Sequence, residues 1–303
     1  MTRFFNSAAS QFMNDVVLRP FTHIRDTKTL AARALVTAAC IFSGSLPLLA
    51  QAQANAGLTK APGTLSVAIY TDFAPFSDHD KGIDVDVGAA LAAKLGLKLA
   101  LLPFPAGDDV NDDLRNMVWK GHYMGYGPAD VLLHVPVEPA LKAANSNVTI
   151  FAPYYHEAVR LVRDTRKIPA YANLDSLSGK KIGVDKASVG AILLIGAEDG
   201  KFRDDVKIFS SGIEALEKLK AGEVDGVVAN RSEIAAIIGH DSNFAVEEIS
   251  FPRLSSRGWL IGMAVKKDNV ALTQALQEAS DQLIASGEMK KIFAQHGVDL
   301  VLP

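Results

Sequence analysis

The sequence predicts an α/β protein built as two lobes, and three observations carry that prediction. Short apolar runs alternate with amphipathic stretches from about residue 64 onward, the pattern of strands followed by helices. The alternation is interrupted at residues 155–165 (YHEAVRLVRDT), an extended, partly alternating link between two such series. The chain has 303 residues, 49% of them hydrophobic and 21% charged, which is enough apolar material for two packed lobes.

Residues 1–54 read as a secretory signal peptide. Arg3, Arg19, Arg25, Lys28 and Arg33 form a basic start, residues 34–50 an apolar run, and Ala50, Ala52, Ala54 and Ala56 a series of A-x-A sites. Ser43, Gly44, Ser45 and Pro47 interrupt the run, which argues against a retained membrane anchor. Removing this segment leaves 26 basic against 32 acidic residues, a net charge of -6. That balance gives no electrostatic reason to bind nucleic acid or an anionic membrane. Cys40, the one cysteine, leaves with the segment, so the mature chain is expected to have neither disulfides nor thiol chemistry.

The elements then follow in order. Residues 65–70 (LSVAIY) predict a strand and 83–95 a helix closed near Gly96, where glycine takes the left-handed cap. Residues 97–104 predict a second strand, and Val110, Leu114, Met117 and Val118 mark the inner face of a second helix. Residues 131–135 predict the third strand of a parallel α/β lobe. After the link, residues 177–184 (LSGKKIGV) open the second series. A helix from Gly212 carries Ile213, Leu216 and Leu219 on one side and breaks at Gly222, before a strand at 224–230 (VDGVVAN) and a helix at 231–239. A return strand at 259–266 leads into a long terminal helix through Leu272, Leu276, Ala279 and Leu283. The expected domains are 1–54 signal peptide, 55–157 the first part of lobe one, 158–257 lobe two, and 258–303 the return completing lobe one. Both lobes are expected to hold parallel sheets, joined by two crossover strands around a cleft, the default place for a ligand.

Several stretches carry a family resemblance: Asp72-Phe73-Ala74-Pro75-Phe76-Ser77, Gly82-Ile83-Asp84-Val85-Asp86, Phe151-Ala152-Pro153-Tyr154-Tyr155, the LSGKKIGV segment, the EVDGVVAN segment ending at Asn230, and Ile261-Gly262-Met263-Ala264-Val265-Lys266-Lys267. In this order and spacing they resemble the family 3 solute-binding proteins of bacterial uptake transporters, which have the type II periplasmic binding fold. The resemblance implies a periplasmic, non-catalytic protein that closes on a small polar ligand and presents it to an inner-membrane permease. It places Phe73, Lys142, Ser188 and Asn230 at ligand positions, and His134, at the end of the third predicted strand, is a further candidate ligand contact. In the amino-acid-binding members it implies an arginine clamp, which here becomes Lys142, a point charge instead of a planar fork, and an acidic residue for the ligand ammonium, which here becomes Asn230. Both changes predict poor binding of ordinary α-amino acids. Ser188 also reads as a helix N-cap, His134 as a packed polar residue, Phe73 as a core aromatic, and Tyr154 and Tyr155 as packing at the crossing.

Other constellations are weaker. Asp108, Asp109, Asn111, Asp112 and Asp113 fail the calcium-loop spacing, since Leu114 and Lys120 stand where glycine and glutamate are needed, and read as an acidic first helical turn. No metal-ligand spacing, nucleophile elbow, phosphate loop or other cofactor motif is present. Residues 122–128 (HYMGYGP) form an aromatic, glycine-rich helix-to-strand loop at the edge away from the expected ligand site. Tyr123 and Tyr126 there read either as a partner surface or as a loop packed on its own lobe. A rival role is an accessory protein of a periplasmic quinoprotein alcohol dehydrogenase. An enzyme on this fold is the third reading, disfavoured because no paired carboxylates are expected in the cleft. The protein is expected to be a monomer without a cofactor.

Overall fold

A computed structural model describes residues 57–251 and 257–303. The predicted signal peptide lies outside the described residues.

The first lobe begins with β1 (Thr64–Tyr70), a short hairpin of β2 (Asp72–Phe73) and β3 (Ser77–Asp78), α1 (Ile83–Lys94), β4 (Lys98–Phe104) and α2 (Val110–Leu114). It continues with β5 (Val131–Pro136), α3 (Pro139–Ala144) and β6 (Val148–Glu157). The second holds β7 (Val159–Asp164), β8 (Ile182–Asp185), α4 (Val189–Gly196), β9 (Val206–Phe209), α5 (Gly212–Lys220), β10 (Gly226–Asn230), α6 (Arg231–Ile238) and β11 (Phe244–Glu248). The chain returns through β12 (Trp259–Lys266) and ends in α7 (Val270–Ala285) and α8 (Glu288–Gln295).

Two five-stranded sheets result, in the orders β4-β1-β5-β12-β6 and β11-β7-β10-β8-β9. The two-lobed α/β fold expected from the sequence is borne out, and the expected parallel sheets differ in one respect, that each carries a single strand running against the others. In the first, β12 runs antiparallel to both β5 and β6; in the second, β7 runs antiparallel to both β10 and β11. The reason is geometric. The other strands run toward the cleft and end there, whereas β7 and β12 enter from the opposite lobe and must run away from it.

Alternating side chains of β1 serve two cores. Leu65, Val67 and Ile69 face α1, α7 and α8 through Ile83, Leu91, Leu276 and Phe293, while Ala68 and Tyr70 face Leu114, Met117 and Leu132. In the second lobe Leu161 and Val228 pack toward α4, and Val162 and Val227 toward α5 and α6. Trp259, at the start of the return strand, packs against cores of both lobes.

Three details depart from the sequence reading. The helix expected across Val110 to Val118 stops at Leu114 and widens into a π-helical turn, Arg115–Trp119, that keeps Met117 and Val118 fully buried. The terminal helix is divided at Gly287, whose φ of 75° is left-handed. β12 bulges at Gly262, where a Cβ would lie 2.4 Å from the Phe151 carbonyl oxygen.

Candidate functional site

The strand ends of both sheets converge on a cavity of about 480 Å3. Asp72, Phe73, Ala74, Phe76, Asp78 and Ala106 line it from the first lobe; Asp185, Ser210, Ser211, Asn230 and Glu233 are among its neighbours on the second. A larger hollow of about 830 Å3, around Tyr171, Leu174, Ile192 and Phe251, is lined by the second lobe alone. Occupying it would give no reason for two lobes to close, so the cavity shared by both lobes is the candidate site.

On the first wall, the β2–β3 hairpin sets Asp72 directly opposite Asp78. It also leaves Phe73 37% exposed, with its ring 4.7 Å from the His134 imidazole and 5.6 Å from the Tyr70 ring. His134 itself is buried behind Phe73 and Phe76, with ring centroids 4.2 Å apart for the latter pair. Its φ of 61° is a left-handed conformation inside a strand. This turn points the backbone N–H at the Tyr154 hydroxyl, 3.1 Å away, and sets Nδ1 3.3 Å from the fully buried Asp84 carboxylate. His134 therefore braces Phe73 from below and is not among the cavity-lining residues. Burial, and then the Asp84 charge, hold the Tyr154 hydroxyl protonated well above its ordinary range.

The second wall consists of three helix beginnings. Ser188 caps α4: its Oγ accepts the Ala191 N–H at 3.0 Å and donates to the Asp185 carbonyl at 2.8 Å. Ser211 caps α5 by accepting the Glu214 N–H. At α6 the Glu233 carboxylate accepts the Asn230 N–H at 2.9 Å. Ser232 next to it donates to Glu157 at the end of β6 across 2.5 Å, tying the second lobe to the crossing. Burial raises the carboxyls of both glutamates, Glu233 to about 7, where Glu157 and Asp185 add repulsion and the Asn230 N–H opposes the rise.

Of the residues singled out from sequence, the structure brings Phe73 and Asn230 together in the cavity. Ser188 lies beside it with its hydroxyl engaged in the local cap, and Lys142 is exposed on α3, outside the lining. Tyr154 and Tyr155 are wholly buried. Tyr123 is 91% exposed, whereas Tyr126 stacks on His122 at 4.2 Å and packs against the first lobe's core, so the loop divides between the two readings.

The expectation that the cleft lacks paired carboxylates is overturned, since Asp72, Asp78, Asp185 and Glu233 all line it. Sequence reasoning missed them as a set, although signals existed. Asp185 ends a strand that precedes a helix, and Glu233 stands three residues after Asn230, the spacing of a capping box. Asp72, Asp78 and His79 also bring ligand-type atoms within 4.8 Å of one another, all exposed, with His79 Nδ1 bonded to Asp78 at 2.7 Å. Among the described residues no helix is long and apolar enough to cross a membrane.

No family model matches the chain. A probable histidine-binding protein of Neisseria gonorrhoeae is 24% identical over 279 residues, covering 88% of this chain and 92% of its own. Among solved structures, an ancestral cationic amino acid solute-binding protein aligns with a TM-score of 0.59 at 20% identity, covering 78% of this chain and 96% of that one. An amino acid ABC transporter substrate-binding protein from Streptococcus pneumoniae, bound to L-arginine, aligns with a TM-score of 0.55 at 20% identity, covering 79% and 96%. These structures share the two-lobed fold, and the resemblance read from the order of the sequence motifs is borne out.

Proposed function

We propose that this chain, which has the type II periplasmic binding fold and relatives among the solute-binding proteins of ABC transporters, captures a small polar solute between its lobes for uptake. The observation that carries this reading is the cavity lined from both lobes at the meeting of their strand ends, where a bound solute touches both walls and favours closure. Phe73 and Asn230 meet the solute, and His134 positions Phe73. The lobes divide as residues 55–157 with 258–303 against 158–257. The segment at 1–54 directs export to the periplasm, where the closed monomer docks on an inner-membrane permease. No reaction is assigned to the cleft.

A thermal-shift screen of the purified protein against amino acids, amines, sugars and carboxylic acids tests this reading. A solute that binds the native state alone raises stability by about 2.7 kcal/mol at 100 times its dissociation constant. Stabilisation that Phe73→Ala and Asn230→Ala both abolish is the expected result. A panel with no stabilising solute, or one whose effect survives both substitutions, would contradict it.

A further inference from the structure

We propose that the cleft selects an organic amine without a carboxylate over the amino acid that carries the same amine. This rests on the capture reading and names its substrate class.

Carboxylates supply the charge on the cavity walls. Asp72 and Asp78 line the cavity from the first lobe and Asp185 from the second, and no lysine or arginine is among the described residues lining it. A ligand with positive ends spanning the cavity meets a carboxylate on either wall. A ligand carboxylate in the same space meets like charge.

Several backbone donors of the second wall are already engaged. Backbone N–H groups at helix beginnings are the usual alternative home for a carboxylate. Here the wall's own side chains already occupy several: Asp185 Oδ1 takes the Ala187 N–H at 2.8 Å, Ser188 Oγ that of Ala191, and Glu214 that of Ser210 at 2.9 Å. Glu233 takes the Asn230 N–H.

The first wall also presents an aromatic side chain. Phe73 is partly exposed and packed against His134, so an aromatic side chain is held at the first wall next to Asp72. A ring face attracts an ammonium or guanidinium group and does nothing for a carboxylate.

Matched pairs test the proposal by calorimetry on the purified protein: 1,5-diaminopentane against L-lysine, agmatine against L-arginine, and histamine against L-histidine. The expected result is at least one pair in which the amine binds roughly tenfold or more tightly than its amino acid, the scale of one charge-assisted contact. Asp185→Asn and Asp78→Asn should each weaken that amine by a similar factor while preserving shape and local acceptors. Equal or tighter binding of the amino acid in every pair overturns the proposal and leaves solute capture standing. So does failure of all six probes when another solute in the screen stabilises the protein. Calcium or magnesium binding in place of the amine, competing with nothing else, would reassign Asp72, Asp78 and His79 to a metal and also overturn it. If no solute of any class binds, the capture reading falls as well.

Discussion

Tyr154 on β6 donates its phenolic hydrogen to Asp84 on α1 across 2.8 Å, and both side chains are wholly buried. The same hydroxyl accepts the His134 N–H, so one oxygen ties the crossing strand, the first helix and the end of β5 beneath Phe73. The site's aromatic wall is thus fixed by a polar network inside an otherwise apolar core.

Tyr154→Phe keeps the ring and removes that oxygen, leaving the His134 N–H and an Asp84 oxygen without their partner. Each buried orphan costs about 1 to 3 kcal/mol, so chemical denaturation should show a loss of roughly 2 kcal/mol or more. A loss below about 0.5 kcal/mol would mean the network does not hold the wall.

Glu233 gives a pH signature. Its folded carboxyl titrates near 7 against an ordinary 4.5, so the native state keeps a proton that the unfolded chain has released. Stability therefore falls as pH rises from about 4.5 to about 7 and changes little from this group above that. Glu233→Gln should remove this fall and stabilise the protein at pH 8 by at most about 3 kcal/mol. The residual slope from Glu157, raised in the same direction, remains in the variant. Identical slopes for both proteins between pH 5 and 7 would refute the assignment.

Gly262→Ala would put a methyl group 2.4 Å from the Phe151 carbonyl oxygen and 2.7 Å from a Val137 methyl. Since β12 pairs with both β5 and β6 there, the backbone must shift, and a drop of about 1 to 3 kcal/mol in unfolding free energy is expected.

The two loop tyrosines should separate. Tyr123→Ala, at a nearly fully exposed position, should leave the unfolding free energy within about half a kcal/mol of the wild type, whereas Tyr126→Ala loses its stack on His122 and its contact with the core and should lower it. Equal destabilisation by both would show that Tyr123 also packs inward.

The fold was legible because it depends on local patterns. Apolar alternation in LSVAIY, the glycine after Leu95 and the i, i+3 spacing of Leu216 and Leu219 each act within a few residues. Strand direction was not legible: nothing in the residues of β7 or β12 records that they enter from the other lobe. The site was half legible for the same reason. Phe73 and Asn230 lie in motifs with recognisable positions, but Asp72 and Asp185 become one electrostatic feature only when sheets distant in sequence face each other. His134 illustrates the limit, since its role depends on Tyr154 and Asp84, 20 and 50 residues away.

Small-angle X-ray scattering, recorded with the solute that most raises thermal stability, tests two-lobed capture most directly. The account predicts that the radius of gyration falls on titration and saturates at one solute per chain, and that Asp185→Asn shifts the titration to higher concentration. A radius that stays constant while the solute binds would contradict closure of the two lobes over a ligand.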